Sequence, residues 1–274
     1  GASIHEINTI RKHLNQAFGG KLLMHAAPAK VITLAISDVA GDDLSTIASG
    51  PTVGDPTTLK DCLNIIEKYQ LRASQAILTY LGDSENETPK PKDRAFDNSE
   101  YHLIATPQKS LEKARDYLEE QGIQTNILSS MIEGDTNQAA SFHTSIVKQI
   151  KQYGQPMEAP CAILSGGETT VKITGTGTGG PNTQFMLQSA LNLTSCDGVY
   201  ALAADTDGID GAQDNAGAYI DPTTITRAEK IGISAKDYLA DNDSEGFFAK
   251  LGNLITPGPT YTNVNDFRVF LITK

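Results

Sequence analysis

Two acidic turns and one glycine-rich loop hold most of the side chains in this chain that can do chemistry. The run Asp205-Thr206-Asp207-Gly208-Ile209-Asp210-Gly211 follows the apolar segment Val199–Ala204. Close carboxylates at a strand end can hold Mg²⁺ through a few oxygens and leave phosphate and water to complete the octahedron. One of them can instead take a proton from a substrate hydroxyl. The spacing is like the start of a calcium loop but lacks the later ligand positions and the closing Glu. The second acidic turn is Ser37-Asp38, followed by Gly41-Asp42-Asp43 and Ser49-Gly50-Pro51-Thr52, at the end of the apolar run Val31–Ser37. Open α/β sheets bind ligands beyond the carboxyl ends of their strands. The same Asp residues serve equally well as turn and helix caps, but two such loops in one chain favour a site. The glycine-rich stretch is Ser165–Gln184 (SGGETTVKITGTGTGGPNTQ), with Gly175, Gly177, Gly179 and Gly180 crowded before Asn182. It reads either as a hairpin with a flexible tip or as a loop whose bare N–H groups wrap an anion before a helix begins. Pro181 and the stripe Phe185, Met186, Leu187, Ala190, Leu191 and Leu193 favour the second reading.

Other chemistries lack their residues. There is no G-x-S-x-G elbow for Ser37, Ser49 or Ser165, no paired spacing among the scattered histidines, and no dinucleotide or P-loop glycine fingerprint. The remaining class is phosphoryl transfer, which needs donors for phosphate oxygens, a divalent ion and a group that orients the attacking hydroxyl. Lys or Arg inside the motifs is thin; Arg11, Lys12 and Lys21 near the start are the best candidates. The net charge of −11 argues against a nucleic-acid partner, and no apolar run is long enough for a membrane. Cys62, Cys161 and Cys196 form neither a metal nor a disulfide pattern, so reduced thiols in a cytoplasmic protein are expected. No charged-then-apolar leader opens the chain, which is read as no secretion signal; it begins with Gly1 and enters a helical pattern at once, the start expected of a fragment.

The elements that position these residues follow an α/β pattern. Ser3–Asn15 reads as a helix with a Ser3/Glu6 capping box and a buried stripe of Ile4, Ile7, Ile10 and Leu14. Val31–Ser37 reads as a central parallel strand buried on both faces. Helices are expected at Thr57–Tyr69 and Ala73–Leu81, then an exposed loop or lid at Gly82–Glu100. Alternation continues with a strand at Tyr101–Ala105, a helix at Pro107–Gln121, a strand at Thr125–Ser129 and a helix at Asp135–Tyr153. Lys151–Pro160 is taken as a domain boundary. Beyond it lie strands at Cys161–Leu164 and Thr169–Thr174, the glycine loop and its helix, and the strand Val199–Ala204. Three short helices follow, and the strand Arg268–Ile272 closes the chain.

GASIHEINTIRKHL, ISDVAGDDLSTIASGPTVGDPTT, ILSGGETTVKITGTGTGGPN, AADTDGIDGAQDNAGAYID and GPTYTNVNDFRV, in that order, resemble the glycerate 2-kinase family, whose carboxyl-terminal module is called MOFRL. Some members carry the older label hydroxypyruvate reductase, of the tartrate-utilisation type. The resemblance implies a Rossmann-like three-layer αβα domain over 1–155, incomplete at its N-terminus, and a MOFRL-type α/β domain with a mixed sheet over 156–274. It implies ATP- and Mg²⁺-dependent phosphorylation of D-glycerate to 2-phosphoglycerate in a cleft between domains. Asp38 and Asp207 then carry the chemistry as base or metal ligands. Arg11, Ser37, Ser49, Gly50, Pro51, Thr52, Ser165, Gly166, Gly167, Glu168, Thr169, Gly177, Gly179, Gly180, Asn182, Asp210, Thr262, Asn263 and Asn265 bind substrate or nucleotide. Family members have an N-terminal segment with a lysine before this region, which is expected to be needed for activity; a homodimer is left open. Many also have arginines and a glutamate in this loop, in a GGRNxE form, where this chain has Thr178, Pro181 and Gln184. An NAD(P)H-linked hydroxypyruvate reductase and a degenerate anion-binding module are the alternatives.

Overall fold

The computed structural model describes residues 1–194, 196–212 and 214–273, in two compact units that divide between Ile104 and Ala105. The first unit holds helices α1 (Ile4–Leu14) and α2 (Lys21–Ala26), strand β1 (Val31–Ile36), helices α3 (Leu59–Lys68) and α4 (Gln75–Leu81), and strand β2 (Ser99–Ala105), which reaches the division. The capping box forms as expected: the Glu6 N–H donates to Ser3 Oγ at 3.3 Å and the Ser3 N–H donates to Glu6 at 2.9 Å. The buried face of α1 is not the expected one. Ile4 is 61% exposed and Ile7 and Leu14 are exposed too, whereas Asn8, Thr9, Lys12 and His13 are buried. The polar face is inside because it closes a hydrogen-bonded network. Lys12 Nζ donates to Asp55 at 3.3 Å, His13 Nε2 lies 3.0 Å from Glu87, and Thr88 Oγ1 donates to Asp55 at 3.1 Å. Lys21 Nζ caps the end of α1 by donating to the carbonyls of Lys12, His13 and Asn15. The segment 82–100 is exposed at 82–85, 91–94 and 97–98, as expected of a loop, but its middle is anchored: Thr88 is buried, and Glu87 and Lys90 belong to this network.

The expectation for β1 is also corrected. It pairs with β2 in a two-stranded sheet, and its burial alternates. Ile32 is 56% and Leu34 65% exposed. A continuous apolar run therefore stands here with one face in solvent, because no element among the described residues covers that face.

The second unit begins with helix α5 (Pro107–Glu120), strand β3 (Gln124–Asp135), helix α6 (Thr136–Tyr153), strand β4 (Cys161–Thr170) and helix α7 (Pro181–Asn192). It continues with β5 (Val199–Asp205), β6 (Gly217–Ile220), α8 (Thr224–Lys230), α9 (Ala235–Ala240), α10 (Ser244–Leu251), β7 (Leu254–Ile255) and β8 (Asp266–Ile272). The sheet order is β3-β4-β8-β5-β6-β7, with β3–β4 parallel and the other pairs antiparallel. β3 and β4 share a ladder, so chain on both sides of residues 154–160 lies in one unit; the contact division thus falls earlier than 155/156. The expected strand at Thr169–Thr174 is the end of β4 followed by irregular chain. The core joins Val147 and Ile150 of α6, Phe185, Met186 and Leu187 of α7, Phe270 and Ile272 of β8, and Phe247 and Phe248 of α10. Each such side chain contributes roughly 1.5–3 kcal/mol of apolar burial. Among the described residues no helix is long and apolar enough to cross a membrane.

Candidate active site

β4 and β5 run in the same direction on either side of β8, so their carboxyl ends and the start of β8 share one edge of the sheet. Asp266 is the register partner of both Gly167 and Asp205. Its carboxylate accepts from the Asn182 side-chain amide at 2.6 Å and from the Thr169 N–H at 3.3 Å, and pairs with Arg268. Three expected motifs therefore meet at one buried side chain, the end of β4, the first turn of α7 and the chain leading into β8, and the acidic turn after β5 adjoins it through the Asp205–Asp266 register pair.

The acidic turn is ordered by its own carboxylates. Asp205 Oδ1 accepts from the Asp207 N–H at 3.0 Å, and Asp207 Oδ1 from the Ile209 N–H at 2.7 Å. Thr206 Oγ1 accepts from the Val264 N–H at 2.8 Å and donates to the Asn265 carbonyl at 2.8 Å. The turn and residues 260–266 thus form one body. Burial pushes the Asp205 carboxyl up to about 7, with Asp207 and Asp266 nearby adding to the effect. Asp205 and Asp207 are half-buried, so this pair lies within reach of solvent.

The glycine loop uses its bare backbone inward. Thr174 and Gly175 N–H donate to Asn242 Oδ1, Thr176 to Asp241 Oδ1 and Thr178 to Asp243 Oδ1. A Cβ at Gly175 or Gly177 would collide with Asp241 or Asp243, and one at Gly180 with Asp210. The anion at the α7 N-terminus is the protein's own: Asp210 accepts from the Asn182 N–H at 2.9 Å and the Thr183 N–H at 2.8 Å. Burial raises the Asp210 carboxyl above its usual range, and these two N–H donors oppose the rise. From Thr174 to Thr183, the N–H of Gly179 alone has no acceptor among the described residues, and Gly179 is exposed.

Other expected residues of this unit have structural partners. Ser165 is buried, with Oγ 2.8 Å from His143 Nε2. The Nδ1–H of His143 donates to the Ala139 carbonyl, so Nε2 accepts from the serine hydroxyl. Gly166 approaches the Asp266 carbonyl, and Gly167 has φ +110° with the Ile132 backbone where a Cβ would stand. Glu168, Thr262 and Asn263 are exposed; Asn265 is buried with φ 63°.

In the first unit, Asp38 is exposed and Ser37 is buried. Ala48, Ser49 and Gly50 adopt consecutive left-handed conformations. Gly19 and Gly20 N–H hold this turn by donating to the Ser49 and Gly50 carbonyls at 3.0 and 2.8 Å. Such a turn stores strain at Ala48 and Ser49, as functional loops often do. Ser49 Oγ and Arg11 Nη1 both donate to Asn8 Oδ1, and Thr52 bonds Thr33. Pro51 is half-buried. Lys12 and Lys21 are committed to Asp55 and to the end of α1.

No group of three or more His, Cys, Asp or Glu among the described residues is placed to hold a metal. The half-buried Asp205–Asp207 pair still fits an ion that takes one or two protein carboxylates and completes its shell with water and phosphate.

Comparisons with known proteins now bear on this geometry. The MOFRL family model matches residues 161–266, and a second model, a domain of unknown function (DUF4147), matches 1–82. A D-glycerate 2-kinase of Thermotoga maritima is 40% identical over 99% of this chain and 64% of its own length. A glycerate kinase of Macaca fascicularis is 31% identical over 99% of this chain and 80% of its own. The chain belongs to the glycerate 2-kinase family. The crystal structure of glycerate kinase from Thermotoga maritima covers 100% of the chain and 64% of its own length, with a TM-score of 0.93. An Agrobacterium vitis protein provisionally named a hydroxypyruvate reductase is 43% identical over 99% of the chain and 62% of its own length. The chain thus spans less than two thirds of the length of the Thermotoga and Agrobacterium relatives. Within this family fold, sequence reading missed Arg268, His143 and the Asp241–Ser244 corner. An arginine in the otherwise apolar strand DFRVFLI, at a position that alternation turns inward, was the available signal for the first.

Proposed function

We propose that this protein transfers the γ-phosphoryl group of ATP to the 2-hydroxyl of D-glycerate, giving 2-phosphoglycerate. The observation that carries the reading is the Asp205–Asp207 pair at the carboxyl end of β5, in a chain of the glycerate 2-kinase family. A half-buried carboxylate pair, in which burial raises Asp205 to about 7, is suited to orienting a hydroxyl and taking its proton. Asp207 is assigned to that role or to magnesium, and Asp38 likewise. Magnesium, when bound with ATP, neutralises charge on the transferring group. The exposed Gly179 N–H, Thr262 and Asn263 are assigned to substrate oxygens. A cleft between two family modules belongs to this reading; the family matches cover 1–82 and 161–266. The additional length of the relatives is taken as necessary for turnover. Buried Cys62 and Cys161 suit a reducing cytoplasm.

The reductase reading has one observation in its favour, the name of the Agrobacterium relative. A test on the full-length gene product separates the two. D-Glycerate-dependent ADP formation from Mg-ATP is expected, together with no oxidation of NADH or NADPH by hydroxypyruvate. Asp207→Asn should lower turnover at least a hundredfold while ATP affinity stays within threefold. Extra Mg²⁺ that restores part of the rate would assign Asp207 to the metal; no restoration would assign it to the proton. Unchanged turnover in the variant removes Asp207 from the site, and NAD(P)H oxidation without ADP formation would replace the kinase by the reductase.

A further inference from the structure

We propose that Arg268 is a positioning residue of this site: it holds Asp266 as the shared acceptor that ties the end of β4 to the first turn of α7, whose Asn182 also reaches Asp210 of the acidic turn. The proposal rests on the phosphoryl-transfer reading for its kinetic arm only. Arg268 is 0% exposed, so its charge has no contact with bulk water. Only Nη2 is engaged, donating to the Asp266 carboxylate and to Thr169 Oγ1 at 3.0 Å. Nε and Nη1 have no partner among the described residues. The guanidinium lies over the ring of Phe185 on α7, 5.0 Å from its centre. A buried cation with unused donors is a poor way to stabilise a core, and an apolar residue of similar volume would do at least as well. Burial raises the Asp266 carboxyl, and the Arg268 charge leads the groups that oppose the rise, favouring the carboxylate that accepts from the Thr169 N–H and the Asn182 amide together. A neutral carboxylic acid would turn one of its oxygens into a donor and lose part of that arrangement. Asp266, Asp210 and Asp205 all feel this charge, so Arg268 is a cation placed beneath the site rather than in it.

The experiment compares Arg268→Gln, Arg268→Lys and the double variant Arg268→Gln/Asp266→Asn in the full-length protein. Turnover with D-glycerate and Mg-ATP is read beside the melting temperature and amide hydrogen exchange at residues 166–170 and 180–184. Arg268→Gln should lower kcat at least tenfold with less than threefold change in KM, and speed exchange in both segments at least tenfold relative to α6. Arg268→Lys keeps the charge without the planar fork and should fall between. The double variant removes both charges and should regain melting temperature while kcat stays low. Recovery of kcat along with melting temperature, or unchanged exchange in both segments, would overturn the proposal. If Arg268→Gln does not fold, exchange in Arg268→Lys decides. If the wild type turns over no glycerate, the kinase reading fails, and the exchange arm still decides the role of Arg268.

Discussion

Asp210 shows how one side chain can be a motif residue and a structural cap at once. Its spacing in TDGIDG drew it into the ligand-binding set, and its carboxylate serves the first turn of α7. Three donors converge on it, the Asn182 and Thr183 N–H groups and the Asn182 amide. Replacing a carboxylate at a helix start leaves those donors unpaired, an effect of about 1–2 kcal/mol. Asp210→Ala should therefore lower the unfolding free energy by that amount, read as a lower denaturant midpoint with an unchanged m-value. A midpoint within error of the wild type would mean that water replaces the carboxylate at no loss. Asp207, three residues earlier, is half-buried and holds only its own turn, so the same sequence motif divides into a supporting acid and an accessible one. Nothing in the spacing alone distinguishes the two, because the difference lies in what α7 brings against Asp210.

Elements reveal where periodicity is a sound guide and where packing overrides it. Gly167 is the clearest case. Read as part of a phosphate cradle, it is the point at which β4 passes against Ile132 of β3, where the register between the strands shifts. Gly167→Ala should destabilise the second unit by at least about 2 kcal/mol, since both φ and space exclude a Cβ; a chemical denaturation curve like that of the wild type would show that the β3–β4 irregularity relaxes freely. The helices α1, α3, α5, α6 and α7 were legible because caps and 3.6-residue spacing are local signals. The Ser3/Glu6 box is an example. The buried face of α1 is not legible in the sequence: Lys12 and His13 are inside because Asp55, Glu87 and Thr88, remote in sequence, hydrogen-bond them. The glycine loop was found, but its partner Asp241–Ser244 lies about sixty residues later, and no local rule joins them. β1 was read as buried on both faces from composition alone, which cannot report how many neighbours a strand has.

For the whole molecule, buried ionisable groups set opposing responses to pH. Burial depresses His143 to about 4 and raises Asp205 to about 7. For His143 the unfolded chain binds the proton more tightly, so stability is full above 6.5 and is lost as pH falls towards 4. For Asp205 the native state binds it more tightly, so stability is full below 3.8 and is lost as pH rises towards 7. The two slopes oppose each other over the same interval. His143→Gln removes the first, so between pH 4.5 and 6.5 the variant should lose roughly 2 kcal/mol relative to the wild type's own change over that range. Denaturant titrations at the two pH values measure this, and parallel behaviour of variant and wild type would mean that His143 is not held neutral by burial. The anion already built into the start of α7 has a consequence of another kind. Proteins that fold around a borrowed phosphate are only as stable as their supply of it. Here the counter-charge is encoded in the chain, so the second unit needs no metabolite to complete itself. Its abundance in a cell should therefore stay steady when phosphate pools fall.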